Sequence, residues 1–189
     1  MAKIFVISGV SGVGKSSLIK ALFKDENFTN NTVLSISYTT RNIRIGEING
    51  KDYRFVTVEE FQTMIENGEF IEYATVYNNY YGTSKQFIEN QLNNNKNVIV
   101  EIDWQGALQI KDIFKDQAVL IYIKPPSWEE LVDRLINRKT DSEETIQLRL
   151  NVALKEFQYI KHYNFVVIND DFDCSVLQLR DIINNKIFL

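Results

Sequence analysis

Gly9-Val10-Ser11-Gly12-Val13-Gly14-Lys15-Ser16 sets glycines, a lysine and a hydroxyl at the spacing G-x-x-x-x-G-K-[ST]. Glycines let a loop curl until several backbone N–H groups converge, and converged N–H groups hold anionic oxygen. The lysine at this spacing reaches the outer phosphates of a nucleoside triphosphate, and the hydroxyl beside it suits Mg²⁺. The frame is also right. The apolar stretch Ile4–Ser8 reads as a buried strand, and Lys15–Phe23, which includes Ser17, reads as a helix whose positive end faces the loop. A glycine-rich turn that matched by chance would lack that frame. The loop alone specifies a nucleoside triphosphate and does not separate GTPases, ATPases and small-molecule kinases.

A second set of residues has anion chemistry. Arg41 and Arg44 are followed by Tyr53 and Tyr81. Guanidinium forks match phosphate oxygens, and tyrosine hydroxyls donate without adding charge. Taken alone, the two arginines read as a solvated surface pair. Glu101 and Asp103 end an apolar strand predicted over Val98–Asp103. An acid in that place can order Mg²⁺ waters or substrate, and Asp103 can equally cap the helix that follows. Arg134 and Arg138 share a helix face at i, i+4, and Arg149 lies on the next helix. The ordinary reading of all three is a solvated basic face. Glu72 falls in the strand-like Phe70–Tyr77, where pattern alone makes it an outward residue.

The elements that must carry these residues alternate between strand and helix. Strands are predicted at Ile4–Ser8, Val98–Asp103, Ala118–Ile123 and Phe165–Ile168. Helices are predicted from about Gln105 to Phe114, from Ser127 to about Asn137, from near Ser142 to Tyr159, and over Cys174–Asn184. Ser127 with Glu130, and Thr57 with Glu60, have capping-box spacing. This alternation predicts a parallel sheet covered on both faces. Residues 35–83 interrupt it with β-rich segments and read as an inserted lobe. Residues 138–142 read as the turn of a mobile helical-hairpin lid.

Bulk properties narrow the function classes. The chain has 189 residues, 44% of them hydrophobic, 24% charged, and a net charge of −4. At this size about 70% of the unfolded surface is buried on folding, so no disulfide is needed. An acidic balance argues against nucleic acid as a partner. The single histidine, His162, excludes a histidine triad or histidine metal cluster and reads as a helix-end residue. The single cysteine, Cys174, forms no internal disulfide and reads as a small packed residue. No leader and no membrane-length apolar run is read, so the expectation is a cytoplasmic protein.

Ser37-Tyr38-Thr39-Thr40-Arg41-Asn42-Ile43-Arg44, with Gly46-Glu47, Gly50 and Asp52-Tyr53-Arg54-Phe55, closely resembles the signature S-x-T-T-R-x-x-R-x-G-E-x-x-G-x-D-Y-x-F of guanylate kinases. Phe70-Ile71-Glu72-Tyr73, Asn79-Tyr80-Tyr81-Gly82-Thr83, Glu101-Ile102-Asp103-Trp104-Gln105-Gly106, Pro125-Pro126-Ser127, Ser142-Glu143-Glu144 and Val167-Ile168-Asn169-Asp170 match in the same order. The resemblance runs from about Phe5 to Asp173. It implies an α/β, P-loop NTPase-type parallel sheet flanked by helices, with an inserted β-rich nucleoside-monophosphate-binding lobe and a helical lid. The implied single domain has a core of about 1–34, 84–125 and 163–189, a GMP-binding lobe of about 35–83, and a lid region of about 126–162.

By the same resemblance, Gly9 to Ser17, Arg134, Arg138, Asn169 and Asp170 bind ATP, the last two on the adenine side. Ser37, Arg41, Arg44, Tyr53, Glu72, Tyr81, Thr83, Glu101 and Asp103 bind GMP. Lys15, Arg44, Arg138 and Arg149 serve the transfer, and Ser16 holds Mg²⁺ with waters ordered by Glu101 or Asp103. Guanine offers N1–H and N2–H₂ to one carboxylate, the role implied for Glu72, with the Ser37 and Thr83 hydroxyls on the O6 side. The implied reaction moves the γ-phosphoryl group of ATP onto GMP, in a monomer or homo-oligomer. Two departures stand out: Val10, where many members have proline, and Lys139, where a glycine commonly follows the lid arginine. A phosphopeptide-binding module of similar sequence is the first rival, and a kinase of another nucleotide or of a phosphorylated sugar is the second. The intact Lys15 and Ser16 argue against the first, and Ser37, Glu72 and Thr83 against the second.

Overall fold

The computed structural model describes residues 1–137 and 142–184. In chain order the elements are β1 (Ile4–Ser8), α1 (Lys15–Leu22), α2 (Glu26–Thr29), β2 (Thr32–Leu34), β3 (Tyr38–Thr39), β4 (Arg54–Phe55), α3 (Val58–Glu66), β5 (Phe70–Val76) and β6 (Asn79–Ser84). Then come α4 (Lys85–Asn93), β7 (Asn97–Glu101), α5 (Trp104–Phe114), β8 (Ala118–Lys124), α6 (Trp128–Asn137), α7 (Glu143–Phe157), β9 (Phe165–Ile168) and α8 (Phe172–Ile183).

β1, β7 and β8 are short apolar runs, and nearly every residue in them is buried, as expected of strands covered on both faces. They belong to a sheet of order β2-β7-β1-β8-β9, in which β2 pairs β7 and β8 pairs β9 in parallel. The central position of β1 puts the loop at its carboxyl end where the strand order reverses, the usual place for a ligand in such sheets. The predicted last strand, Phe165–Ile168, is found as such.

The inserted lobe carries a second sheet of order β4-β3-β6-β5. α3 is fastened by a complete capping box between Thr57 and Glu60, as its spacing predicts. Its Phe61 is fully buried, with its ring 4.4 Å from that of Phe70 and 5.4 Å from that of Tyr80. Burying one such side chain is worth about 1.5–3 kcal/mol, so this stack is a main anchor of the small sheet.

Two compact units emerge from the contacts. The first is Met1–Val6 with Asn31–Ala118, and the second is Ile7–Asn30 with Val119–Leu189. Strand β1 runs through both. No helix among the described residues is long and apolar enough to cross a membrane.

Three expectations are corrected. The predicted Val98–Asp103 strand ends at Glu101, because Asp103 turns the chain into α5 and caps it. Ser127 does cap α6 through Glu130 N, but the Glu130 carboxylate goes to Arg134 instead of completing a capping box. Cys174 is exposed, not packed. α8 buries Ser175, Leu179, Ile182 and Ile183, and that helical stripe leaves position 174 on the outer face.

Candidate active site

The glycine-rich loop and the residues that support it lie within the second unit. Gly14 caps α1 at φ 98°, a left-handed conformation, and a Cβ there would stand 2.7 Å from Asn169 Nδ2. Glycine is therefore required twice over, by conformation and by space. Asn169 Nδ2 donates to the Val13 carbonyl at 2.7 Å, and Asn169 N donates to the Lys124 carbonyl at 2.8 Å. The carboxamide thus braces the loop from the end of β9. Asp170, next to it, is exposed.

The Lys15 ammonium folds back over the loop, donating to the carbonyls of Gly9 at 2.5 Å and Val10 at 3.2 Å. Ser16 and Ser17 follow in the first turn of α1, both exposed. Arg149, on α7, is 8% exposed, and its Nη1 donates to the Ser11 hydroxyl. Arg134 pairs with Glu130 at 2.9 Å and donates to the Asn169 carbonyl at 3.1 Å. Neither arginine sits on a solvated basic face. Arg138 lies outside the described residues, as do Lys139 and most of the predicted lid turn.

The residues expected to hold the acceptor nucleotide lie within the first unit. The Arg41 guanidinium lies over the Tyr53 ring, 5.4 Å from its centroid, and pairs with Glu47 at 2.7 Å. Tyr53 and Tyr81 rings stand 6.0 Å apart, so three of the four predicted phosphate ligands meet. Arg44 is exposed, but its backbone N–H is held by the other Glu47 oxygen at 2.8 Å. Burial works against the Arg41 charge, yet the Glu47 hydrogen bond and charge outweigh it and raise the Arg41 pKa. Burial, then the Glu101 carboxylate and Tyr81, push the Tyr53 phenol above its ordinary range, so it remains a neutral donor.

Glu72 is the most unusual group. On β5, Glu72 and Ala74 are buried while Tyr73 and Thr75 are exposed, so the carboxylate points inward, contrary to the outward pattern reading. It is 3% exposed. Register places Thr83 of β6 opposite it, and the Thr83 hydroxyl donates to Glu72 Oε1 at 2.5 Å. Burial raises its pKa to about 7; the Thr83 bond opposes that rise and the Asp103 charge adds to it. Ser37 is buried just before β3.

Asp103 caps α5 through Gln105 N and Gly106 N, each at 3.1 Å, and its other oxygen accepts from Gln105 Nε2 at 2.8 Å. Asp103 is thus engaged by the helix that follows. Glu101 ends β7.

The guanylate kinase family model matches residues 1–186. The chain belongs to the guanylate kinase family. A curated guanylate kinase of Francisella tularensis subsp. holarctica is 48% identical over 176 residues, covering 93% of each chain. Another, from Shewanella sp., is 46% identical and covers 97% of this chain and 87% of its own. Among solved structures, a guanylate kinase from Anaplasma phagocytophilum superposes with a TM-score of 0.82 at 32% identity, covering 98% of this chain and 86% of that one. A shikimate kinase from Bacteroides thetaiotaomicron, at 15% identity and a TM-score of 0.51 over 97% of this chain and 98% of its own, shares the fold alone.

The sequence shows Glu47, Asn169 and Glu130, but not the partners they take. Glu47 was visible in the signature, but a carboxylate among phosphate-seeking arginines shows its purpose only once it is seen to align Arg41 and Arg44. Asn169 was expected on the adenine side, and its brace on Val13 had no sequence signal. Glu130 could have been found as an i, i+4 partner of Arg134.

Proposed function

We propose that this guanylate kinase transfers the γ-phosphoryl group of ATP to GMP with Mg²⁺, and that Glu72 is the group that reads guanine. The observation that carries the base assignment is the inward Glu72 carboxylate with Thr83 bound to it. A buried acid with one hydroxyl partner can still accept from a ligand that presents two adjacent N–H donors, as guanine does with N1–H and N2–H₂; adenine, whose N1 is an acceptor beside its amine, does not. A site built around unpaired polar groups rejects a ligand that fails to pair them, which supports GMP over AMP.

Arg41, Tyr53 and Tyr81, with Arg44 on the same loop, suit the GMP phosphate. The glycine-rich loop, Lys15 and Arg149 suit the triphosphate of ATP. A GMP phosphate oxygen is already ionised near neutral pH, so the nucleophile needs no general base. Catalysis then consists of positioning and charge stabilisation. Ser16 fits Mg²⁺, an ion that takes few protein ligands and completes its shell with phosphate oxygens and water. When bound, Mg²⁺ neutralises charge on the phosphates being separated. Glu101 or Asp103, at the end of β7 and the start of α5, would order its waters.

Glu72→Gln tests the base assignment. It keeps the shape, removes the charge and sets a donor against guanine. The loss of a charged hydrogen bond, with a donor left unpaired, lowers kcat/KM for GMP by at least about tenfold. ATP affinity stays the same. An equal loss for both nucleotides, or none for GMP, removes Glu72 from the guanine pocket.

The raised pKa of Glu72 makes a second expectation. From its ordinary 4.5 to about 7, the folded protein holds a proton that the unfolded chain gives up. Stability from this group is therefore full below about pH 4.5 and is lost as pH rises through about 7. GMP, bound through its N–H donors, needs the carboxylate ionised. Its binding at pH 6 releases a proton from Glu72. Calorimetry in buffers of different ionisation enthalpy measures that release, and Glu72→Gln supplies the baseline, because the GMP phosphate itself titrates near 6. Equal release by both proteins would mean that Glu72 stays protonated over GMP.

A further inference from the structure

The Glu72 carboxylate is bracketed. Thr83 holds Oε1 from β6 at 2.5 Å. On the other side stands Gly106, in the first turn of α5. A Cβ added at Gly106 would overlap Glu72 Oε2 and lie 3.0 Å from Cδ. Gly106 is buried within a regular helix and is absent from the glycines with positive φ. Its backbone therefore makes no demand for glycine, and alanine is the better helix former. The demand comes from the close approach of the carboxylate.

The same helix holds the strand at that distance. The Gln109 carboxamide takes both main-chain groups of Tyr73: Nε2 donates to the carbonyl at 3.0 Å, and Tyr73 N donates to Oε1 at 3.4 Å. Gln105 Nε2 donates to the Thr75 carbonyl at 3.4 Å and to Asp103 Oδ2 at 2.8 Å. β5 is the last strand in its sheet, and Tyr73 and Thr75 are its outward alternates. α5 thus grips β5 immediately beyond Glu72, and presents a bare Cα where the carboxylate arrives.

We propose that Gly106, Gln105 and Gln109 act as a gauge on α5 that fixes where the Glu72 carboxylate stands, and so set guanine recognition without touching the base. The inference rests on the reading of Glu72 as the guanine acceptor. The three are positioning residues: Gly106 by leaving space, and the glutamines by fixing the strand.

Gly106→Ala is the test, read as KM and kcat for each nucleotide together with Tm. Displacement of the carboxylate raises KM for GMP by about tenfold or more, the size of one lost charged hydrogen bond. KM for ATP stays constant, and in Tm the helix preference of alanine offsets part of the cost of displacing the carboxylate. The same substitution in a Glu72→Ala background has no further effect on KM for GMP, because no carboxylate is left to displace. Glu72→Ala alone separates the two ideas. If it impairs GMP use while Gly106→Ala in the otherwise native chain does not, the gauge is wrong and Glu72 keeps its role. If Glu72→Ala leaves GMP use intact, the guanine reading falls and the gauge falls with it. Should Gly106→Ala not fold, Gln109→Leu carries the test, as it adds nothing to the space beside Glu72. It raises KM for GMP by about threefold or more at constant KM for ATP, in line with the loss of ordinary hydrogen bonds. No change, or equal changes for both nucleotides, overturns the proposal.

Discussion

Alanine at Lys15 lowers kcat by about 10²–10³-fold or more, the usual cost of removing one donor aimed at charge that develops in a transition state. The fold survives. Lys15 is partly exposed and, among the described residues, donates to the carbonyls of Gly9 and Val10, so no core is lost. Hydrogen bonds of this kind are worth about 0.5–1.5 kcal/mol each. A loss of 1 kcal/mol moves Tm by only about 2–4 °C in a chain of this size. Single-turnover transfer beside a melting curve separates the two effects. Near-native turnover in the variant would end the assignment of Gly9–Ser16 as the phosphate cradle.

Arg149→Ala has a comparable effect for a different reason. The guanidinium is nearly buried on α7 and already anchored to the Ser11 hydroxyl of the loop. A charge held so firmly is preorganised, and arginines that meet the charge developing on a transferred phosphoryl group are worth about 10³–10⁵ in rate. We expect kcat to fall by about 10³-fold while KM for GMP changes little. Lysine at this position recovers only part of the rate, because a point charge cannot reproduce the fork. If KM alone rose, Arg149 would be a ground-state binder. Steady-state kinetics on both variants decides this.

What could be read from the chain depended on how local it was. The phosphate loop is eight consecutive residues between a strand and a helix, and its chemistry is in its order. The α3 capping box spans Thr57 to Glu60 and was equally plain. Glu72 was not, because its inward direction follows from β5 alternating with Ala74, and its partner Thr83 comes from the strand across the turn. Asp103 offered two roles, and only the observed start of α5 shows the helix engaging it. Asn169 reaches Val13 across most of the chain, a distance that no local pattern encodes. Cys174 failed for a simpler reason: residue type argued for packing, but helical phase decided.

The glutamine grip on β5 matters beyond the site. An outermost strand offers unsatisfied N–H and C=O groups to any other strand, in this protein or in a neighbouring molecule, and so invites aggregation. Here the outward groups of Tyr73 and one carbonyl of Thr75 are already occupied by side chains of α5. Gln109 acts at Tyr73 as a one-residue strand that cannot be extended. The same contacts therefore leave these main-chain groups of β5 unavailable to another strand.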